Sequence, residues 1–377
     1  MYEELSASRT RRTVTATARL LRALRLDGML LSGLAIVCSF GLFVLYSAVG
    51  DNVVLWLNQL VRVGIGIAVM IALARVPDRF LRMAAPAAYT VGLLLLAVVA
   101  VAGDVGKGAQ CWLDIGVVRF QSSEVMKLAV PMMCAWYLHQ RPLPPSARDV
   151  IVVALVVIVP VLLIAEQPDL GTALLVAAAG FLVLILGGLS PLYLLGGVAV
   201  VGAAVPLMWH LMHDYQRQRV LTLLDPQSDA LGAGYHIIQS QIAIGSGGVF
   251  GKGWMNGSQA QLEFLPERST DFIFAVVGEE LGLLGLLALL GTYLFIVGRS
   301  LYMANQCRDA YSRLMSGSIA LTFFVYVFVN AGMVTGLLPV VGVPLPLVSY
   351  GGTSLVTLLA GFGILMSLYS SRKLVGS

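Results

Sequence analysis

Residues Gly232–Gly282 read GAGYHIIQSQIAIGSGGVFGKGWMNGSQAQLEFLPERSTDFIFAVVGEELG, a polar, glycine-rich passage in a chain that is otherwise almost wholly apolar. The passage includes Asp271, a carboxylate placed where a long apolar run begins. Outside it, apolar runs of about 20 residues recur, each long enough to cross a bilayer core of roughly 30 Å. The runs are continuous rather than alternating, which selects helices over a membrane barrel. The chain is 58% hydrophobic and 12% charged over 377 residues, whereas a soluble domain carries about a quarter charged residues. The expected fold class is an all-α polytopic membrane protein. A polar excursion of this length, closing on an acid, points to work done at the bilayer face.

Ten transmembrane helices are expected, starting near Gly28, Leu55, Met83, Ser122, Asp149, Leu170, Pro191, Asp271, Leu314 and Pro344. Basic residues orient them. Of the 24 Lys and Arg, 16 fall in the set of segments that includes the N-terminal arm. Six (Lys107, Arg119, Arg217, Arg219, Lys252 and Arg268) fall on the other side, and Arg62 and Lys127 lie within spans. Both termini are therefore expected in the cytoplasm. A large external loop of about 213–270 is expected between helices 7 and 8. Residues 1–27 read as a basic cytoplasmic arm and 28–377 as a single transmembrane domain. The first apolar run is too long for a signal-peptide core.

The net charge of +4 comes mostly from arginines flanking the spans and implies no nucleic-acid partner. Cys38, Cys111, Cys134 and Cys307 show no metal spacing, and no structural disulfide is expected. His139, His210, His213 and His236 form no metal-binding array.

Polar groups gather in four places, which this topology puts on one side. They are Gly108–Lys127, Glu166–Thr172, the long loop, and Pro339–Ser354. A shared cavity opening outward is the simple inference. Glu124 and Lys127 are three apart on one helix and can pair, either as a self-neutralising tie or as a functional group. Asp271 and Asp169 each admit two readings, an N-terminal helix cap or a working carboxylate. Arg219 and Lys252 are external cations suited to a phosphate or to lipid headgroups. Glu279 and Glu280 lie two turns into the eighth span, where inner-side polar partners are expected. Arg62 is expected to snorkel. The prolines and glycines of PVVGVPLPLVSYGG imply a broken start to the last span, lining a cavity.

At these residues the chain resembles the SEDS family (shape, elongation, division and sporulation). The stretches that carry it are GAQ-WLDIG at Gly108–Gly116, FQ-SE--K-AVP at Phe120–Pro131 and QPDLGTA at Gln167–Ala173. YQRQRVLTLLDPQSD at Tyr215–Asp229, the opening passage, and GLLPVVGVPLPLVSYGGTS at Gly336–Ser354 complete the set. The IIQSQIAIGSGG and QLEFLPER wording is similar to the elongation branch rather than the division branch.

The resemblance implies a peptidoglycan glycosyltransferase that polymerises lipid II by inverting transfer to a β-1,4 linkage. It implies Asp271 as the catalytic residue and Glu124 with Lys127 as a buried pair beside a central cavity. Asp169, Arg219, Lys252, Gln239 and Ser349 are the further candidates for substrate binding or cavity lining. No cofactor is certain, and a divalent cation (magnesium or manganese) is a possible one. The implied partners are a class B penicillin-binding protein and the MreC, MreD and MreB rod complex, at the bacterial inner membrane. A lipid II flippase is the rival reading. Cys111 stands where the family has Arg, which removes a fixed cation, and Ser122 stands where it has Pro.

Overall fold

The computed structural model describes residues 24–371, apart from 51, 103, 107–108, 115–118, 212–213, 230–231, 263 and 266. The expected arm therefore lies outside the described residues up to residue 23, as do the side chains of residues 102–120, Cys111 among them.

Long helices dominate. In chain order they are α1 (Gly28–Val49), α2 (Val53–Ala74), α3 (Asp78–Ala102), α4 (Ser122–Leu138), α5 (Ala147–Glu166), α6 (Leu170–Leu186) and α7 (Pro191–Leu211). The polar passage carries α8 (Asp214–Leu224), a 3-10 turn (Pro226–Asp229), α9 (Ala233–Gly247) and the short α10 (Ser258–Gln261). Then come α11 (Ile273–Asn305), α12 (Ala310–Val334) and α13 (Thr353–Ser370). Among the described residues, seven helices are long and apolar enough to cross a membrane.

One element departs from the all-α expectation. Between α3 and α4 the chain forms a three-stranded antiparallel sheet of β1 (Asp104–Gly106), β2 (Ala109–Asp114) and β3 (Arg119–Gln121). Three short strands between two long apolar runs leave little periodicity to read, and the pairing comes from neighbouring strands rather than from any one of them.

Several helices begin at side-chain caps. Asp27 accepts from Leu30 N at 2.9 Å and opens α1. Ser146 and Asp149 form a reciprocal capping box at α5. Asp309 accepts from Ser312 N at 3.0 Å and opens α12. Asp27 also accepts two hydrogen bonds from the Arg299 guanidinium, at 2.6 and 3.0 Å, tying the start of α1 to the far part of α11.

Helix α12 is the central post. Some 72% of its apolar window is buried, against 28% for α2 and 22% for α3, so the latter two spend most of their surface on lipid. Two chain breaks differ from a simple string of spans. The last helix starts at Thr353 rather than near Pro344, because Pro344 and Pro346 lack the N–H a helix needs and the Gly351–Gly352 pair costs backbone entropy in a helix. And α11 is interrupted at Gly282, whose φ of +65° favours glycine.

That interruption is repaired by the loop after α9. Leu283 N donates to Gly248 O at 3.0 Å, and Leu284 N to Val249 O at 3.2 Å. In return, Lys252 N and Gly253 N donate to the Glu279 and Glu280 carbonyls, at 3.0 and 2.9 Å. The approach needs glycine on both sides, since a Cβ on Gly251 would collide with the Glu280 carbonyl. Broken backbone inside an apolar helix is thus satisfied by protein rather than by lipid.

Candidate functional site

The start of α11 is reached through a turn, Glu267–Phe272. Phe272 N donates to Glu267 O at 3.2 Å, and the Thr270 hydroxyl donates to the Glu267 carboxylate at 2.6 Å. The cap position of α11 is Phe272, with no side-chain cap bond, so Asp271 stands one residue before the cap rather than at it. Asp271 is half-buried. Its carbonyl accepts from Asn330 Nδ2 at 2.8 Å, and the same amide donates to Val343 O at 2.7 Å. One asparagine on the central post therefore holds both the Asp271 turn and the irregular segment before α13. Gly342, at φ +74°, lies beside the carboxylate, and a Cβ there would stand 3.6 Å from Asp271 Oδ2.

Ser349 reinforces the same junction. Its hydroxyl donates to Thr270 O at 2.5 Å and accepts from Leu345 N at 2.8 Å. Tyr350 N donates to Ser269 O at 2.8 Å, and Gln59 on α2 donates to Ser349 O at 3.1 Å. The PVVGVPLPLVSYGG stretch is thus an extended clamp on the residues that precede Asp271.

Asp169 is a helix cap. It accepts from Thr172 N at 3.0 Å to open α6, and from Gln121 Nε2 at 2.6 Å. It also borders the clamp, because a Cβ on its neighbour Gly171 would lie 2.5 Å from Val341 O. Glu124 and Lys127 pair at 2.7 Å within α4, and both are buried. Lys127 Nζ lies 5.1 Å from the centre of the Tyr326 ring, one turn along α12 from Asn330. Among the described residues, Glu124 Oε2 is buried with no hydrogen-bond partner. An apolar cavity opens next to the pair, with Pro131, Phe323, Tyr326 and Phe362 among its walls.

The structure therefore gathers Asp271, Ser349, Asp169, Glu124 and Lys127 at or near one end of the helices, around the clamp and α12. It uses Lys252 differently from the expectation of a cation open to a phosphate. Lys252 Nζ bonds Glu279 Oε1 at 2.7 Å and the Ser258 hydroxyl at 2.8 Å, because a fully buried carboxylate claims it. Glu279 also accepts from Gln259 N at 2.9 Å and Ala260 N at 3.2 Å. The neighbouring Glu280 accepts from Ser47 near the end of α1 at 2.5 Å. This corrects the expected inner-side partners of both glutamates, since the loop folds back onto α11 at the break. Gln239 and Arg219 are half-buried on α9 and α8, away from the clamp's described hydrogen bonds.

Two contributors escaped the sequence reading. Asn330 is a lone amide in an apolar run, which is itself the signal that was available. His236 on α9 stacks on Phe272, with ring centres 5.6 Å apart, and no spacing rule reveals that. Among the described residues, no three His, Cys, Asp or Glu side chains come together to hold a metal ion.

Residues 20–374 match the profile of the cell cycle protein family FtsW/RodA/SpoVE. The chain belongs to that family. It is 51% identical over 353 residues to the peptidoglycan glycosyltransferase MrdB of Escherichia coli K12, covering 93% of this chain and 95% of that protein. It is 36% identical to the MrdB of Helicobacter pylori J99, covering 87% of this chain and 86% of that one. Among solved structures, it resembles a chain described under structural coordination of polymerization and crosslinking by a peptidoglycan synthase complex. That likeness has a TM-score of 0.81 and 34% identity, over 92% of this chain and 98% of that one. It also resembles the crystal structure of the rod shape determining protein RodA of Thermus thermophilus. There the TM-score is 0.71 and the identity 31%, over 92% of this chain and 97% of that one.

Proposed function

We propose that this chain is a peptidoglycan glycosyltransferase that polymerises lipid II, with Asp271 as its general base. The observation that carries the reading is the Asp271 turn. A carboxylate sits before a long apolar helix, outside the cap position, with its backbone held by Asn330 and its neighbours Ser269 and Thr270 held by the clamp. A base held in this way keeps its aim through successive turnovers.

Asp271 takes the proton from the 4-hydroxyl of the acceptor GlcNAc as that oxygen attacks C1 of the donor MurNAc. The C1–O bond to the diphosphate breaks, and the diphosphate leaves on its lipid. Attack from the opposite face converts the α-linked donor into a β-1,4 bond. Ser349 holds the base-bearing turn, and Asp169 holds the start of α6 against the clamp. The Glu124–Lys127 pair borders the apolar cavity, where lipid tails or the sugar-bearing end would pack.

The finer arrangement belongs to the same proposal. Three further helices join the seven long apolar ones as spans, α4 and α6 with 17 residues each and α7 with 21. That makes ten spans, with both termini cytoplasmic, the loop of about 213–270 external, and residues 28–377 one domain at the inner membrane. The partners would be a class B penicillin-binding protein and the MreC, MreD and MreB rod complex.

The test is lipid II polymerisation by the purified protein, alone and with its transpeptidase. Asp271→Asn is nearly isosteric and is expected to abolish glycan ladders while the protein still folds and binds its partner. Ladders from the variant at the wild-type rate would remove the base assignment. Transbilayer movement of lipid II in liposomes without polymer would favour a flippase instead.

A further inference from the structure

Arg62 lies well inside a helix of membrane length and has no part in the site as described so far. Helix α2 packs through a buried stripe of Gln59, Val63, Gly66 and Met70, and α13 lies against it. Val61 and Ile65 on its other side are exposed, toward lipid in the proposed topology. Arg62 stands at the edge between the two faces, half-buried.

Its guanidinium stacks on the Tyr350 ring, 4.5 Å from the centroid. Gly352 leaves the adjoining approach open, since a Cβ there would lie 3.5 Å from Arg62 Cζ. Tyr350 is the residue whose N–H binds Ser269 O, two positions before Asp271.

The charge balance is the telling feature. Lys127 and Arg299, two other basic side chains set into long helices, each hold a carboxylate. Among the described residues, no carboxylate pairs with Arg62. An aromatic face attracts a guanidinium but does not neutralise it. Arginine cannot shed its proton, so a guanidinium held at that depth calls for an anion. The stem carries the guanidinium to the Tyr350 ring, toward the helix end where Ser269 lies, and the anion that the bilayer offers at such an end is a phosphate carried on a lipid, which a guanidinium suits in charge and in bidentate geometry.

We propose that Arg62, with the Tyr350–Gly352 turn, binds the diphosphate of the polyprenyl carrier at the edge of the α2–α13 contact. The proposal rests on the reading of Asp271 as the centre of a lipid II polymerase, and it adds where the lipid-borne charge of that substrate is held. The same chemistry would suit a phospholipid headgroup, so the test separates the two.

The full-length protein is placed in phosphatidylcholine nanodiscs, and undecaprenyl diphosphate binding is measured by native mass spectrometry. Arg62→Gln is expected to weaken that binding about tenfold or more, the effect of losing a charge-assisted hydrogen bond. Binding of undecaprenol, which has no phosphate, is expected to stay unchanged, and Arg62→Lys to recover part of the loss. In polymerisation, Arg62→Gln is expected to raise KM while kcat changes little.

Gly352→Leu is the second variant. It keeps the guanidinium and fills the approach, at a φ of −82° that any side chain tolerates, and is expected to weaken binding likewise. Equal diphosphate affinity in wild type and both variants would overturn the proposal. So would a loss seen only as fewer retained phosphatidylglycerol molecules in anionic nanodiscs, which would assign Arg62 to a headgroup. Polymerisation by Asp271→Asn would remove the base assignment and leave this binding result standing.

Discussion

Two glutamate–lysine pairs of equal length, 2.7 Å, have contrasting surroundings in this molecule. Glu124 and Lys127 sit three residues apart on one helix, both buried, with one carboxylate oxygen lacking a hydrogen-bond partner among the described residues. Glu279 and Lys252 are 27 residues apart, and the carboxylate collects four donors from the loop and α10. The first pair spends little of its hydrogen-bonding capacity on the fold and stands beside a cavity. The second is spent wholly on docking the loop at the break in α11. The two pairs differ not in length but in how far the acceptor is saturated.

Mutations can break this contrast. The largest expected effect is from Lys127→Met, which strands Glu124 in the interior and costs roughly 3–5 kcal/mol. Pairing it with Glu124→Leu is expected to restore most of the thermal stability in detergent while leaving polymerisation low. If the single and double variants melt together, the pair is not acting as a compensated buried charge.

Glu279→Gln is expected to cost about 1–3 kcal/mol, because backbone donors at Gln259 and Ala260 lose an ionised acceptor. Adding Lys252→Met is expected to leave that loss in place, since the backbone N–H groups remain. Recovery in that double variant would make the second pair resemble the first.

Asp169→Ala removes a cap and is expected to cost about 1 kcal/mol, read as a lowered melting temperature. Lys252→Met alone is expected to cost less than Lys127→Met and less than Glu279→Gln, because the lysine is 29% exposed and Glu279 keeps three other donors. A loss from Lys252→Met as large as that from Glu279→Gln would mean the charge, not the backbone capping, holds the loop.

The membrane-spanning character was legible in the apolar runs, and most helix starts fell within a few residues of their expected places. The exceptions have separate causes. The start of the last span was placed near Pro344 because apolar content continues through the clamp, whereas the helix needs the N–H groups that proline lacks. The three strands between α3 and α4 were invisible because each pairs only with its neighbours. Asp271, Ser349 and Asp169 were singled out from polar motifs at the ends of apolar runs, and the fold brings them round the clamp, Asp169 as a helix cap. Lys252 looked like a phosphate cation because sequence shows a charge without showing that Glu279 meets it.

Composition by itself determined that the chain is a helical membrane protein, because apolar runs of that length are stable in few other forms. The motif wording determined the family, since the stretches keep their order along the chain and, apart from Cys111 and Ser122, the residues that carry the resemblance. Tertiary structure alone decided which polar groups are committed. Asn330 reaches Asp271 across 59 residues and Ser47 reaches Glu280 across 233, and such bonds exist only once the helices have packed. A residue's type states what bonds it can make; only its neighbours in the folded chain state which are left to make.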